Sequence, residues 1–176
     1  MSSRFIMTAF GRDRVGIVAD VTRLLYENDC NLEDTNMTIL ADEFSLNLLF
    51  SSRQGNIEDV LSGECRRLEL EKGISAFVRP IGPRASAASN GFTSHTLHIE
   101  GLDQAGIVYK TSRFLAEKDI NIMHLNSSAK PSPESGAPLY NMDIHVQVPS
   151  DLGREQMEEK LNAVADELQV DITVVQ

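Results

Sequence analysis

The sequence has little of what marks several large classes of protein. Its 176 residues include two cysteines, Cys30 and Cys65, no tryptophan, and only 6% aromatic residues. Two cysteines are too few for the disulfide framework of a small secreted domain, so we expect reduced, partly buried thiols. No run of apolar residues approaches the roughly 20 that cross a membrane. Residues 1–4 lead directly into a strand pattern without room for a signal peptide, which predicts a cytoplasmic protein with no membrane partner.

Basic residues are also scarce. The chain has 16 lysines and arginines against 26 aspartates and glutamates, a formal net charge of −10 at pH 7. The basic residues form no cluster, whereas acidic residues gather in the last predicted helix at Glu155, Glu158, Glu159, Asp166 and Glu167. Because such a surface repels phosphate backbones, direct binding of nucleic acid is not expected.

One stretch of the sequence occurs twice. Residues 11–18, GRDRVGIV, recur as GLDQAGIV at residues 101–108, an offset of 90 positions. The same offset relates residues 11–31 to residues 101–121 without a gap, and ten of these twenty-one positions are identical. The chain is therefore predicted to be an internal duplication that carries two copies of one site.

Hydrophobic periodicity gives both copies the element order βαββαβ. Strands are predicted over residues 4–10, 31–40, 44–51 and 74–81, and again over 93–100, 121–129, 140–148 and 170–175. Helices are predicted to begin at Ile17, Ile57 and Ile107, with a fourth over residues 154–169. The first strand is apolar enough that we expect cover on both of its faces.

This order predicts an α+β fold made of two ferredoxin-like βαββαβ domains. Each is expected to be an antiparallel four-stranded sheet with two helices on one face. The predicted domains are residues 1–81 and 93–176, joined by a flexible linker at 82–92.

The repeated loop has the features of an anion site. A strand that turns into a helix through a glycine-containing loop exposes the first unpaired N–H groups of the helix, which favour a carboxylate. Gly16 and Gly106 place no side chain there. Gly-Lys-Ser/Thr does not follow, so a small carboxylate fits better than a nucleotide. The alternative is that the glycines only permit tight packing and that Asp13 and Asp103 only cap helices.

A repeated asparagine follows the first helix of each copy. Asn31 and Asn121 lie where the helix returns to the second strand, and either could be a simple turn residue. In this topology the loop and the asparagine lie at opposite ends of one domain, roughly 18 Å apart. We therefore expect two domains packed head to tail, with the Gly16 loop facing Asn121 and the Gly106 loop facing Asn31.

The βαββαβ unit, the G-x-D-x-x-G-I-V loop and the D-x-N step into the second strand resemble the ACT domain, here in tandem. The resemblance covers nearly the whole chain. It implies an amino acid bound at a domain interface and a regulatory role. A free-standing pair of this length is similar to the glycine cleavage system transcriptional repressor family, which implies action through a protein partner, a DNA-binding activator. The first loop has Arg14 where the second has Gln104. This difference indicates that the two sites are not equivalent.

The predicted ligand-binding residues come from both loops and both strand starts. They are Asp13, Arg14, Val15, Gly16, Ile17, Asn31, Leu32, Asp103, Gln104, Ala105, Gly106, Ile107, Asn121 and Ile122.

Neither a metal centre nor a catalytic site is predicted. The four histidines all lie in the second copy; His98 and His145 are expected on neighbouring strands, on the face away from the apolar residues. Two histidines without a third ligand are weak evidence for a metal, and no cofactor is expected. The sequence has no nucleophile elbow, no His-Glu-x-x-His and no cysteine paired with a nearby histidine, so we expect no enzyme.

The leading hypothesis is an amino-acid-sensing regulator that controls a protein partner, either a transcription factor or an enzyme. Glycine is one candidate ligand, and regulation of glycine cleavage is the function that the resemblance implies. Two alternatives stay open: an interaction module that binds no ligand, and a detached regulatory subunit of a metabolic enzyme. Edge strands of either domain also allow a homodimer.

Overall fold

A computed structural model describes residues 2–82, 91–133, 136–152 and 154–175, with the backbone alone at Arg154. The chain divides into two compact units, Met1–Ser86 and Ala87–Gln176. Most of the predicted linker, residues 83–90, lies outside the described residues, as do residues 134 and 135 of the loop before the seventh strand. Within the described residues no helix is both long and apolar enough to cross a membrane.

The first unit follows the predicted order. Its elements are β1 (Ser3–Arg12), α1 (Ile17–Glu27), β2 (Asn31–Leu40), β3 (Glu43–Ser52), α2 (Ile57–Lys72) and β4 (Ser75–Ile81). The strands form one sheet in the order β2-β3-β1-β4, and every neighbouring pair is antiparallel. Because β1 and β2 both pair with β3, they run parallel to each other.

The second unit repeats this arrangement. Its elements are β5 (Phe92–Leu102), α3 (Ile107–Glu117), β6 (Asn121–Pro131), β7 (Pro138–Pro149), α4 (Arg154–Leu168) and β8 (Val170–Val175). The sheet order is β6-β7-β5-β8, again antiparallel throughout. The predicted fold class, two ferredoxin-like units, is confirmed.

Along the central strands of each sheet every second side chain is buried, and these side chains form the core of each unit. In the first unit β1 buries Phe5, Met7 and Ala9, and the Phe5 ring stacks on Phe50 of β3 at 5.5 Å between centroids. In the second unit β7 buries Met142, Ile144, Val146 and Val148. The helices add their own apolar stripes, which in α1 are Ile17, Val21, Leu24 and Leu25. Burying these side chains is the main favourable term for each unit.

The expectation that β1 is covered on both faces is wrong. Ile6 and Thr8, between the buried residues, are half-buried, and Phe10 is 47% exposed. Both helices of the unit lie on the same face of the sheet, which leaves the opposite face without a helix. We call this helix-free side of each sheet its outer face.

Five strands extend beyond their predicted ends, whereas β2 and β8 have the predicted bounds and β4 begins one residue later, at Ser75. β1 continues to Arg12 because Gly11 and Arg12 still pair with Phe44 and Glu43 of β3. The helix α2 ends at Gly73, which has the left-handed backbone (φ 66°) that glycine adopts without strain.

Candidate functional site

The loop between β1 and α1 is held by its backbone. The N–H of Asp13 donates to the carbonyl of Asp42 in the β2–β3 turn at 2.8 Å. Gly16 then takes the N-cap position in a left-handed conformation, φ 87° and ψ 0°. A Cβ at Gly16 would meet no atom within 4 Å, so the space beside it is open and the need for glycine comes from its backbone angles.

Among the described residues no side chain caps α1 or α3, so the alternative that Asp13 and Asp103 only cap helices is wrong. Each aspartate precedes its N-cap glycine by three residues, and its own N–H is tied to the hairpin turn. The side chain therefore does not have the N-cap position from which it could reach the N–H groups of the first turn.

The first turn of α1 consequently has free donors. The N–H of Ile17 donates over a long 3.4 Å to the Arg14 carbonyl, and that of Asp20 donates to Gly16 at 2.9 Å. Between them, the N–H groups of Val18 and Ala19 have no acceptor among the described residues. Two such donors at the positive end of a helix form a binding position for an anion.

The second loop has the same backbone. The N–H of Asp103 donates to the Pro138 carbonyl at 3.0 Å, Gly106 is left-handed (φ 102°), and the N–H of Lys110 donates to Gly106 at 2.9 Å. No capping side chain is present there either. The duplication has therefore kept the donor geometry.

The side chains around the first loop carry both signs of charge and include two arginines, Arg12 and Arg14. Arg14 Nη2 lies 2.6 Å from Asp20 Oδ2, and Lys72 Nζ of α2 lies 3.7 Å from Asp20 Oδ1. The hydrogen bond from Arg14, more than the nearby Lys72 charge, holds the pKa of Asp20 below its ordinary value. Counting Arg12, Arg14 and Lys72 against Asp13, Asp20, Asp42 and Glu43 leaves this end of the first unit with a net charge of −1.

Beside the second loop the ion pair between the two helices has its signs exchanged. Lys110 occupies the position of Asp20, and its Nζ lies 2.8 Å from Glu167 Oε1 on α4. The hydrogen bond from Lys110 lowers the pKa of Glu167. Gln104, in the position of Arg14, donates its side-chain N–H to the Leu168 carbonyl at the end of α4. Lys110 against Asp103 and Glu167 gives this end a net charge of −1.

Asn31 and Asn121 start the edge strands β2 and β6, and both are exposed. The pairing of each edge strand shifts register just after the asparagine, between Leu32 and Asp34 and between Ile122 and His124. The side chain of Asn121 donates to Met123 Sδ at 3.2 Å. These bulges were not predicted, because periodicity shows which face a residue occupies but not a single inserted residue.

Loop and asparagine do not meet within a unit. Gly11, at the loop, pairs with Phe44, whereas Asn31 pairs with Ser51, seven residues along the same strand. At about 3.4 Å per residue they are about 24 Å apart. The expectation that they lie at opposite ends of one domain is confirmed.

The other predicted ligand-binding residues differ in what they can offer. Val15 is fully exposed, and Leu32 is 42% exposed. Ala105 is also exposed and Ile122 is half-buried. Ile17 and Ile107 are both 2% exposed and point into the two cores. Only the backbone of these two isoleucines is available to a ligand.

A groove beside Asn31 was not predicted. It has a volume of about 440 Å³, and its walls include Ala19, Tyr26, Cys30 and Leu32. Two of its features, exposed Tyr26 and half-buried Cys30, have no counterpart in the second unit, where Ala116 and Ile120 stand instead. Comparing the two repeats residue by residue is the signal that could have found it.

The cysteines have no feature of a catalytic nucleophile. Both are free thiols, as predicted. Burial raises the pKa of Cys30, and it raises the pKa of Cys65 to about 11. Because the thiolate is the reactive form, neither cysteine is activated at neutral pH.

The histidines lie where the sequence predicts. β5 and β7 are neighbours, and on their outer face His98 Nδ1 contacts Asp143 Oδ1 while His145 Nδ1 lies 3.0 Å from Thr96 Oγ1. The His124 ring is 5.8 Å from that of His145. Within the part of the chain that the structure describes, no three His, Cys, Asp or Glu side chains are grouped so that they could hold a metal ion.

Known proteins are similar to this chain in sequence. A sequence profile described as "ACT domain" matches residues 3–74. The glycine cleavage system transcriptional repressor of Escherichia coli (strain K12) is 26% identical over 169 residues, which are 93% of this chain and 84% of that protein. A UPF0237 protein of Methanopyrus kandleri is 31% identical over 78 residues, 44% of this chain and 87% of the relative.

A solved structure matches the whole fold. The crystal structure of an unknown protein from Galdieria sulphuraria is 27% identical, has a TM-score of 0.82, and the match covers 99% of this chain and 98% of that chain. It confirms the fold, and the profile match together with the relative in Escherichia coli confirms the resemblance predicted from the repeated loop.

Proposed function

The first unit belongs to the ACT domain family and the second unit repeats its fold, and we propose that the chain is a regulatory protein that senses a small amino acid and controls a protein partner. The observation that carries the proposal is the pair of free N–H groups behind a left-handed glycine, present in both units. A carboxylate is the ligand group that these donors and the helix dipole favour. An amino acid is the ligand class for which ACT domains are known.

The first unit is the stronger candidate for binding. Its loop carries two N–H groups without acceptors among the described residues, those of Val18 and Ala19, and an arginine, Arg14, that the second loop lacks. The second loop has the same donors with Gln104 in the position of Arg14, and its Lys110 is engaged by Glu167. An amino-acid carboxylate should therefore bind first at the Gly16 loop.

The asparagines are the proposed second contact. Since Asn31 lies about 24 Å from its own loop, another ACT unit must supply an asparagine if one touches the ligand. That Asn121 serves the Gly16 loop stays a prediction. A double-mutant cycle of Val18→Asp with Asn121→Ala tests it: coupled losses of affinity would support the pairing, and additive losses would contradict it.

The choice of ligand and partner rests on the relative in Escherichia coli, which is a transcriptional repressor of the glycine cleavage system. Glycine is therefore the first ligand to test, and a transcriptional regulator is the first class of partner. The net charge of −10 supports a protein partner over nucleic acid. A cytoplasmic location and the absence of catalysis are part of the same proposal.

Calorimetric titration with glycine, alanine and serine tests the ligand. We expect saturable binding of at least one of them, and thermal stabilisation that grows with ligand concentration. Val18→Asp places a carboxylate on the free N–H groups, where it occupies the donors and repels the ligand. The affinity should fall at least fivefold, which corresponds to about 1 kcal/mol.

Val18→Asn is the matched control, because it has nearly the same shape without the charge. It should bind more tightly than Val18→Asp. Equal affinity of wild type and Val18→Asp would rule out the Gly16 loop as the site. Absence of binding to all three amino acids and to the remaining seventeen would favour the interaction module without a ligand.

A further inference from the structure

The outer face of the first sheet carries an apolar patch. Its residues, two of them aromatic, are Ile6, Phe10, Leu49, Phe77 and Ile81. Phe10 is 47% exposed and Phe77 is 54% exposed. Ile6, Leu49 and Ile81 are half-buried. Half-exposed aromatic rings grouped with aliphatic residues are typical of a surface that contacts another molecule.

The second unit shows that the fold does not need this patch. Strand pairing identifies the equivalent positions: Ile6 pairs with Leu49 as Thr96 pairs with His145, and Thr8 pairs with Phe77 as His98 pairs with Thr173. The four replacements from the first to the second unit are Ile6 to Thr96, Phe10 to Glu100, Leu49 to His145 and Phe77 to Thr173. A sheet with the same order and pairing forms with polar residues at all four, so the patch serves something other than folding.

Charges at the two edges of the patch complement each other. Across the sheet, Arg79, Ile6, Leu49 and Asp34 form one row of paired residues. Arg79 and Asp34 lie on the opposite edge strands, three strand spacings or about 14 Å apart. Among the described residues neither forms an ion pair; Asp34 only accepts from the N–H of Thr35 at 2.7 Å.

We propose that two copies of this chain associate through the outer face of the first unit. A two-fold axis between Ile6 and Leu49 reverses the row, so that Arg79 of each copy meets Asp34 of the other over an apolar centre. A row with a cation at one end and an anion at the other is complementary to itself, which is the requirement for a two-fold interface. Stacked sheets lie about 10 Å apart, a separation that side chains of this size fill.

The size of the face sets the expected strength. It extends roughly 20 Å along the strands between Arg4 and Phe10 and about 14 Å across them. Such a face has about 280 Å² per copy, or about 560 Å² in total, which is well below the roughly 1,200 Å² of stable specific interfaces and is typical of a weak, transient contact. The dimer should therefore dissociate reversibly on dilution, in the micromolar range.

Sedimentation equilibrium of the full chain from about 1 to 200 µM measures the association. The wild type should shift from monomer to dimer over this range. The double variant Ile6→Thr with Leu49→His installs the residues of the second unit and should weaken association at least tenfold. Leu70→Thr is the control, since Leu70 is 82% exposed on α2, away from the patch, and this variant should dimerise like the wild type.

Charge reversal tests the geometry without touching the core of the patch. Arg79→Asp alone and Asp34→Arg alone should each weaken the dimer, because each places like charges together, whereas both changes in one chain should restore it. A monomeric wild type at all concentrations would overturn the proposal. So would single reversals without effect, or a double reversal that shows no recovery.

Discussion

The two units of this chain have the same backbone and different surfaces. Both place a left-handed glycine before the first helix, tie the loop to the following hairpin turn, and carry a register shift just after the asparagine. Their side chains differ at the loop and on the outer face. We interpret the backbone features that both units share as requirements of the loop geometry. The side chains that differ between the units are not required by the fold, and they can therefore serve one unit alone.

The clearest contrast is the ion pair between the helices. In the first unit the carboxylate, Asp20, lies on the helix that follows the loop and its partner Lys72 on the second helix; in the second unit Lys110 and Glu167 exchange these signs. The bridge is therefore kept with its signs exchanged, which by itself places the anion, Asp20, on the helix that follows the first loop. The reason to expect anion binding at the first loop is Arg14, which Gln104 replaces in the second unit.

The largest effect should come from exchanging one buried residue between the units. Val21 and Thr111 occupy equivalent positions and both are fully buried, but the Thr111 hydroxyl has no hydrogen-bond partner among the described residues. Val21→Thr should lower the free energy of unfolding by about 1–3 kcal/mol, the usual cost of burying an unpaired polar group. Thr111→Val should raise the free energy of unfolding by about 1 kcal/mol.

Urea denaturation of the two variants measures both effects. Thr22→Val, at the exposed neighbour of Val21, is a suitable control and should change stability by less than about 0.5 kcal/mol. A destabilising Thr111→Val would contradict the assignment, since it would show that the hydroxyl makes a bond that the structure lacks.

The fold was predictable because two signals agreed. The 90-residue repeat established two equal units, and the change of period from strand to helix placed all twelve elements. The loop chemistry was less accessible. Asp13 has the residue type of a helix cap, but it lies three residues before Gly16, which takes the N-cap position. The N–H of Asp13 donates instead to the carbonyl of Asp42. Which face of β1 is covered depends on where both helices pack, a tertiary fact that the composition of one strand does not contain.

The candidate site was predictable only in part. The glycine loops and the asparagines were identified because they recur, and the structure places them at opposite ends of each unit as expected. The exchange of signs between the ion pairs of the two units was not predicted from the sequence. It depends on Lys72 and Glu167, which lie on helices outside the aligned repeat and reach the loop only in the folded unit.

A smaller effect is expected when the two loops are compared directly. Val18 and Val108 are equivalent, 38% and 40% exposed. If the Gly16 loop is the principal site, Val108→Asp should reduce amino-acid affinity less than twofold, below about 0.4 kcal/mol, against at least fivefold for Val18→Asp. Calorimetry of the two variants side by side gives the ratio. Equal losses would mean that both loops bind, and a larger loss for Val108→Asp would reverse the assignment.

The smallest effect is in the titration of the two bridging carboxylates. Arg14 lowers the pKa of Asp20 and Lys110 lowers the pKa of Glu167, in both cases mainly through a hydrogen bond. A lowered pKa means that the bridge contributes stability above the pH where the unfolded carboxyl ionises, about 3.9 for aspartate and 4.3 for glutamate, and loses it as the pH falls through the folded value.

Arg14→Gln gives the first loop the residue of the second and should raise the pKa of Asp20 toward its ordinary value, while the pKa of Glu167 stays lowered. Lys110→Gln should raise the pKa of Glu167 toward its ordinary value, while the pKa of Asp20 stays lowered. Carboxyl NMR titration measures the pKa values of Asp20 and Glu167 in one sample. The titration is carried out for the wild type and for each of the two variants. Because Lys72 also acts on Asp20, Arg14→Gln should leave part of the shift in place. A full return would show that Arg14 alone sets the charge beside the free N–H groups, and no change would show that the bridge to Lys72 is sufficient.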